Sequence, residues 1–267
     1  MLKSFYRVLI ELTNGRITSG ALKRFAQSKW SRFLIPAYVK VYKLNLEEVE
    51  KNSKDFPTLH DLFIRKLKEG ARIIHDGTSS VVSPVDGILE DTGEVRPDKH
   101  IAVKGKVYSI EEMLGDNEVL HKYIGGSYMV IYLSPSHYHR IHSPLAGEVT
   151  KRWLLGKKSY PVNAWGMKYG RDTLSKNYRI ITEIQHDKGS AAVVKVGAMF
   201  VNSIVVTHSD TEIQKGEELA YFSFGSTVVL LFEKGTFRAS ADAAYPMDVH
   251  VGQEIGFITD NHVSLNQ

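Results

Sequence analysis

A chain of 267 residues with 43% hydrophobic side chains can bury a sizeable core, which excludes a disordered chain and favours one large domain. Zero cysteines exclude disulfides, thiolate metal ligands and a cysteine nucleophile, and fit a reducing compartment. The net charge of +4 is uneven: residues 1–43 carry nine basic side chains against Glu11 alone, a balance of +8, which leaves −4 for the remainder. Such a segment seeks a polyanion, either anionic lipid or nucleic acid.

In chain order, Leu2, Phe5, Tyr6, Leu9 and Ile10 recur at helical spacing opposite Lys3, Arg7 and Glu11, and Thr13-Asn14-Gly15 supplies a stop. Those interrupting charges leave no signal-peptide core, so a cytoplasmic protein is expected. A second amphipathic helix is predicted from about Thr18, with Leu22, Phe25, Ala26, Trp30, Phe33 and Leu34 on one side and Pro36 closing it. The apolar faces suit either packing on the body or a membrane surface, and the basic bias favours the membrane. Thr58-Leu59-His60-Asp61 resembles a capping box opening a short helix through Leu62, Phe63 and Leu67 to Gly70.

Beyond it the pattern turns to short β-rich runs: 101–103, 128–133, 148–154, 178–184, 191–196, 204–207, 227–232 and 254–258, with 110–114 the one obvious helix among them. Apolar stretches such as Val228 to Phe232 are strand-length, far short of the ~20 residues that cross a bilayer as a helix. The expected class is α+β: a helical, basic, membrane-associating region over 1–70, then a mainly antiparallel β catalytic domain over 71–267.

Three constellations could carry chemistry. Ser83-Pro84-Val85-Asp86-Gly87 is a turn with one carboxylate, and a lone Asp before Gly is most often only a turn residue. The run Ser134-Pro135-Ser136-His137-Tyr138-His139-Arg140-Ile141-His142-Ser143-Pro144 follows an apolar strand and packs three histidines into six residues. Their spacing suits zinc ligands, with Asp86 as a fourth, or general acids and bases, and does not separate the two. Phe224-Gly225-Ser226-Thr227 leads into the apolar run 228–232; Gly-Ser-Thr is common in turns, yet a Gly-Ser bond has chemistry of its own. A serine hydroxyl can attack the carbonyl of the preceding residue, and a glycine there lacks the Cβ that would oppose the strained geometry. Removing the α-proton of the resulting ester expels the upstream chain and leaves dehydroalanine, which hydrolyses to a pyruvoyl group and ammonia.

Taken together, SPVDG at 83–87, YLSPSHYHRIHSP at 132–144 and FGST at 224–227 resemble the phosphatidylserine decarboxylases, supported by LFIRKLKEGAR at 62–72, SYPVN at 159–163, KNYR at 176–179 and VGAMFVNSI at 196–204. The likeness runs in unbroken order from residue 60 to about 235. Family members usually carry Leu before the glycine of the last motif and some bacterial ones Phe, so Phe224 keeps the apolar character.

The resemblance implies a self-processing triad in which Ser226 is the nucleophile, His142 the base and Asp86 the group that orients and charge-stabilises His142. Cleavage between Gly225 and Ser226 would leave a large subunit, 1–225, and a small one, 226–267, whose N-terminal pyruvoyl group derives from Ser226. No metal is implied. The pyruvoyl ketone would take the amine of phosphatidylserine as a Schiff base and draw off the electrons released with CO₂, giving phosphatidylethanolamine. His139 is the implied proton carrier to the α-carbon, and His137 receives no role. The implied partner is an anionic phospholipid surface on the cytoplasmic face of the cell membrane, bound peripherally, with no nucleic acid; a homodimer is the base-rate expectation. Asn163, Lys168 and Arg179 lie near matching motifs, but none is marked as gripping the head group.

Overall fold

The structure is a computed structural model and describes residues 16–103, 105–115, 117–158, 160, 172–198, 204–223, 226–240 and 245–259. The helix expected over residues 2–12 lies outside them. Helix α1 (Arg16–Ala26) is followed by a 3-10 segment (Lys29–Leu34) and then by α2 (Ile35–Tyr42). The single helix expected from about Thr18 to Pro36 is therefore α1 and a 3-10 segment, and Pro36 opens the further helix α2 instead of closing one. Proline fits the first turn because that position has no intrahelical acceptor for an N–H, and its fixed φ is already helical.

Helix α3 (Leu59–Phe63) starts as the capping pattern predicts: Thr58 Oγ1 accepts from Asp61 N at 3.1 Å. It ends at Phe63, short of Leu67, which instead bridges to Val49 in extended pairing. Ile35, Leu44, Val49, Phe56 and Leu62 form a small apolar core of their own among these helices.

The remaining chain is dominated by antiparallel sheet. Strands β1 (Ser80–Val82), β2 (Gly87–Glu94), β3 (His100–Val103) and β4 (Lys106–Ser109) lead to α4 (Ile110–Leu114) and α5 (Asn117–Tyr123). Next come β5 (Ser127–Leu133), β6 (Arg140–His142), β7 (Gly147–Leu155), the short α6 (Thr173–Lys176), β8 (Arg179–His186) and β9 (Gly189–Gly197). Strands β10 (Ile204–Val206), β11 (Glu212–Ile213), β12 (Glu218–Phe222), β13 (Ser226–Phe232), β14 (Phe237–Ala239), β15 (Met247–Val249) and β16 (Glu254–Ile258) complete the described chain. Helices α5 and α6 and several short strands go beyond the expected elements, but the α+β class with a β-rich body stands.

Eight strands form the main sheet in the order β11-β7-β8-β9-β13-β5-β2-β15. Strand β13 reads STVVLLF and is buried along its whole length because both faces of this sheet are covered. Val228, Leu230 and Phe232 join a core shared with the small sheets β1-β16-β14 and β10-β12-β6. Val229 and Leu231 point the other way, into a core with the β3–β4 hairpin, α4 and α5.

Candidate active site

One edge of the main sheet collects all three constellations. Ser226, the first residue of β13, sits opposite Leu133 at the end of β5 and opposite Gly197 at the end of β9. On the far side of β5, Ile88 is opposite Tyr132, so Asp86 leaves β2 at the same edge, where the histidine loop leaves β5. Gly87 makes that close approach sterically feasible, since a Cβ there would lie 2.6 Å from the Tyr132 carbonyl oxygen. The SPVDG turn is tied to β6 by His142 N donating to Pro84 O at 2.8 Å, and β6 to β12 by Phe222 N donating to His139 O at 2.9 Å. Phe224 and Gly225 lie outside the described residues.

Ser226 is fully buried and its Oγ has no hydrogen-bond partner among the described residues. A buried hydroxyl left this way costs about 1–3 kcal/mol, which makes it a site to be explained by chemistry rather than by packing. His139 is also fully buried. Its Nδ1 donates to the His137 carbonyl at 2.9 Å, its ring lies 3.8 Å from that of Phe63, and its Nε2 has no partner among the described residues. Burial first, then the nearby Arg65 guanidinium, holds its pKa well below the ordinary histidine value.

His142 donates from Nδ1 to Gly216 O at 2.7 Å, and its Nε2 lies 3.3 Å from the Tyr138 hydroxyl. With Nδ1 committed as donor, Nε2 keeps its lone pair. Burial lowers the His142 pKa, partly opposed by the Gly216 hydrogen bond and by Glu218 and Asp86. His137 takes a different part, its Nδ1 accepting from Ser134 N at 3.0 Å. Among the described residues no group of three or more His, Cys, Asp or Glu side chains is placed to hold a metal ion.

Asp86 is buried, and its carboxylate is gripped by Arg72 from two nitrogens: Nε to Oδ1 at 2.8 Å and Nη2 to Oδ2 at 2.5 Å. Val251 N adds a third bond at 2.9 Å and His250 Nδ1 stands 3.7 Å away. Burial pushes the carboxyl pKa up, but the Arg72 and Val251 bonds prevail and hold it low. Asp86 thus meets His142 through the electric field, with its hydrogen bonds directed to Arg72 and Val251.

Arg65, Arg72 and Tyr138 are the site groups that sequence reading left without a role. Both arginines lie in the 62–72 stretch that supports the resemblance, and only their burial and partners single them out. Arg179, near a motif, is buried and donates to the carbonyls of Met113, Asn177 and Glu112, which ties β8 to α4. Asn163 and Lys168 lie outside the described residues.

The Arg72–Asp86 pair carries a stability prediction. Arg72→Met leaves a buried carboxylate without its counter-charge, and thermal or urea unfolding should show a loss of about 3–5 kcal/mol at neutral pH. Because the folded pKa of Asp86 is depressed, the wild-type stabilisation is present above the ordinary carboxylate pKa of about 3.9 and lost as pH falls through the lower folded value. In the variant the Val251 bond and His250 still favour the carboxylate, but without Arg72 burial weighs more and the folded pKa rises, so the difference between the two proteins should shrink on acidification toward pH ~4. A pH-independent difference would remove Asp86 as its cause.

A family model described as phosphatidylserine decarboxylase matches residues 59–257. Proteins named phosphatidylserine decarboxylase proenzyme from Bacillus mycoides, Bacillus thuringiensis subsp. konkukian and Bacillus cereus are each 56% identical over 255 residues, covering 96% of this chain and 97% of theirs. The match takes in the SPVDG turn, the histidine loop and Ser226 alike, and the chain belongs to the phosphatidylserine decarboxylase family.

Proposed function

We propose that this protein decarboxylates phosphatidylserine to phosphatidylethanolamine with a pyruvoyl group made from Ser226 by self-cleavage after Gly225. The observation that carries the reading is the Ser226 hydroxyl, buried and without a partner among the described residues, at the strand ends where Asp86 and the histidine loop meet. Its relatives' name, proenzyme, fits a chain that is cut before it works.

In processing, Oγ of Ser226 attacks the Gly225 carbonyl carbon and the C–N bond breaks, leaving an ester on Oγ and a free Ser226 amine. Loss of the Ser226 α-proton expels the Gly225 carboxylate, and hydrolysis of the dehydroalanine releases ammonia. His142 takes the hydroxyl proton on the nitrogen that Nδ1 donation to Gly216 leaves as a lone pair. The Asp86 carboxylate, kept ionised by Arg72, stabilises the imidazolium that results. Once formed, the pyruvoyl group supplies an electron sink for decarboxylation. His139 takes on its Nε2 lone pair a proton that the substrate ammonium gives up and returns it to the carbon that CO₂ leaves, its Nε2 having no partner among the described residues. The small subunit stays in place because β13 is paired on both sides, with β5 and β9. Active wild-type enzyme should give two masses, for 1–225 and for 226–267 less the elements of ammonia, and lose activity to hydroxylamine. An active, uncut chain with an ordinary serine would refute the reading.

The substrate's home is a bilayer, and the helical region presents a surface suited to one. Trp30 and Phe33 are 75% and 77% exposed with ring centroids 6.3 Å apart, and Phe25, Leu34, Val41 and Tyr42 are exposed nearby, among Lys23, Arg24, Lys29, Arg32 and Lys40. No helix among the described residues is long and apolar enough to cross a membrane, so docking on the cytoplasmic face would be peripheral. Trp30→Ala with Phe33→Ala should weaken binding to phosphatidylglycerol vesicles by about a hundredfold, from roughly 3 kcal/mol of lost apolar burial. Added salt should weaken binding further in both proteins. Unchanged sedimentation with vesicles would discard this surface.

A further inference from the structure

The geometry points to Arg65 as a positioning residue for His139, an inference that rests on the proton-carrying role given to that histidine. Arg65 is 5% exposed, two residues past the end of α3, and sends Nη2 to two backbone carbonyls of the histidine loop: Ser136 O at 2.7 Å and His137 O at 3.0 Å. The second carbonyl is the one that accepts from His139 Nδ1 at 2.9 Å. One oxygen therefore receives both the arginine and the imidazole, and fixing that oxygen fixes the ring.

The consequence is a choice of tautomer. While the His137 carbonyl stays put, the proton of neutral His139 belongs on Nδ1 and the lone pair on Nε2, the nitrogen with no other partner. Phe63, from the end of the same helix, covers the ring at 3.8 Å and removes the rotations that would swap the nitrogens. The loop is held from α2 as well, where the Tyr38 hydroxyl donates to Pro135 O at 2.9 Å. Helices outside the sheet thus set the orientation of a side chain at its edge.

Arg65 also acts through its charge. Its Nε and Nη1 are buried without acceptors, and no carboxylate pairs with it among the described residues. Among the described residues the groups facing His139 are Arg65 itself, the His137 ring and carbonyl, the Phe63 ring and the backbone N–H of Phe222, and the Asp86 carboxylate acts on the guanidinium through space without a hydrogen bond to it. Burial first, and then the field of the guanidinium, disfavours the imidazolium and keeps His139 a neutral imidazole at rest. A buried cation with unused donors costs stability, which the two bonds to the loop carbonyls offset in part.

The test compares Arg65→Met and Arg65→Lys with wild type, using protein whose cleavage has been verified by mass. Imidazole nitrogen NMR on histidine-labelled enzyme, with His139→Gln to assign the signal, reads the tautomer directly. Wild type should show Nδ1 protonated over the whole neutral range. Arg65→Met should show mixed tautomers and a His139 that titrates at higher pH than in wild type, with kcat reduced about 10–100-fold and KM changed less than about threefold. Arg65→Lys keeps the charge and at best one of the two bonds, so it should fall between, and it carries the test alone if the methionine variant does not fold. An unchanged His139 signal in either variant, whatever the activity, overturns the inference. If His139→Ala still decarboxylates, the proton-carrier reading fails, while the NMR result still decides whether Arg65 sets the ring.

Discussion

Ser226→Ala yields one uncut chain of 267 residues that folds and carries out no decarboxylation. The expected loss of turnover exceeds about 10⁴-fold, because the reactive ketone is never made and no other carbonyl of the protein can replace it. Folding should survive, and for a specific reason. Among the described residues the wild-type Oγ is buried without a partner, so replacing it by a hydrogen atom on Cβ removes an unsatisfied polar group and breaks no hydrogen bond to them. The variant should unfold at the same temperature as uncut wild type or a few degrees higher, from up to about 1–3 kcal/mol of recovered desolvation cost. That combination separates a chemical role from a structural one. Intact mass, a melting curve and CO₂ release settle it together, and measurable decarboxylation by the uncut alanine variant would end the pyruvoyl reading.

Much of the fold was legible because the main sheet is buried on both faces. Long apolar runs such as Tyr128–Leu133 and Val228–Phe232 have no competing interpretation once flanked by turns, and they are the paired centre of the sheet. The strands that escaped are mostly short or irregular: β1, β6, β14 and β15 have three residues each, too few for a period of two to show. Pro36 misled for a different reason, since proline marks a helix start as well as a helix end.

At the site, the candidate reacting groups can be picked out by residue type, but what holds them cannot. A cluster of histidines, a Gly-Ser bond and an Asp-Gly turn have chemistry that can be read from residue type. Arg72 and Arg65 look like ordinary members of a basic stretch, and what distinguishes them, burial against Asp86 and against the His137 carbonyl, exists only in the folded chain. The same holds for His142, whose Nδ1 acceptor is the Gly216 carbonyl 74 residues away. That glycine adopts φ +81, and a Cβ would fall 2.6 Å from Ile74, so its backbone can take this course only without a side chain.

The two histidines should separate when each is removed. His142→Ala abolishes cleavage, because Ser226 then has no base for its proton, and the preparation remains a single chain with no pyruvoyl group and no turnover. His139→Ala still cuts into 1–225 and 226–267, but decarboxylation falls by about 10²–10⁴, the usual worth of a positioned general acid or base. Both rings are held below the ordinary histidine pKa, chiefly by burial, so both are neutral at pH 7. For a base this is the competent form, and its sign fixes the pH profile. Cleavage by wild type should run at constant rate from pH ~8 down past ~6.5, where an unperturbed histidine would already be half protonated, and slow only below that. Time courses of cleavage by mass, beside CO₂ release from the cut enzyme, keep the steps apart. Equal cleavage defects in the two variants would refute the division of roles, and a cleavage rate that halves near pH 6.5 would show that His142 is not shielded as its burial requires.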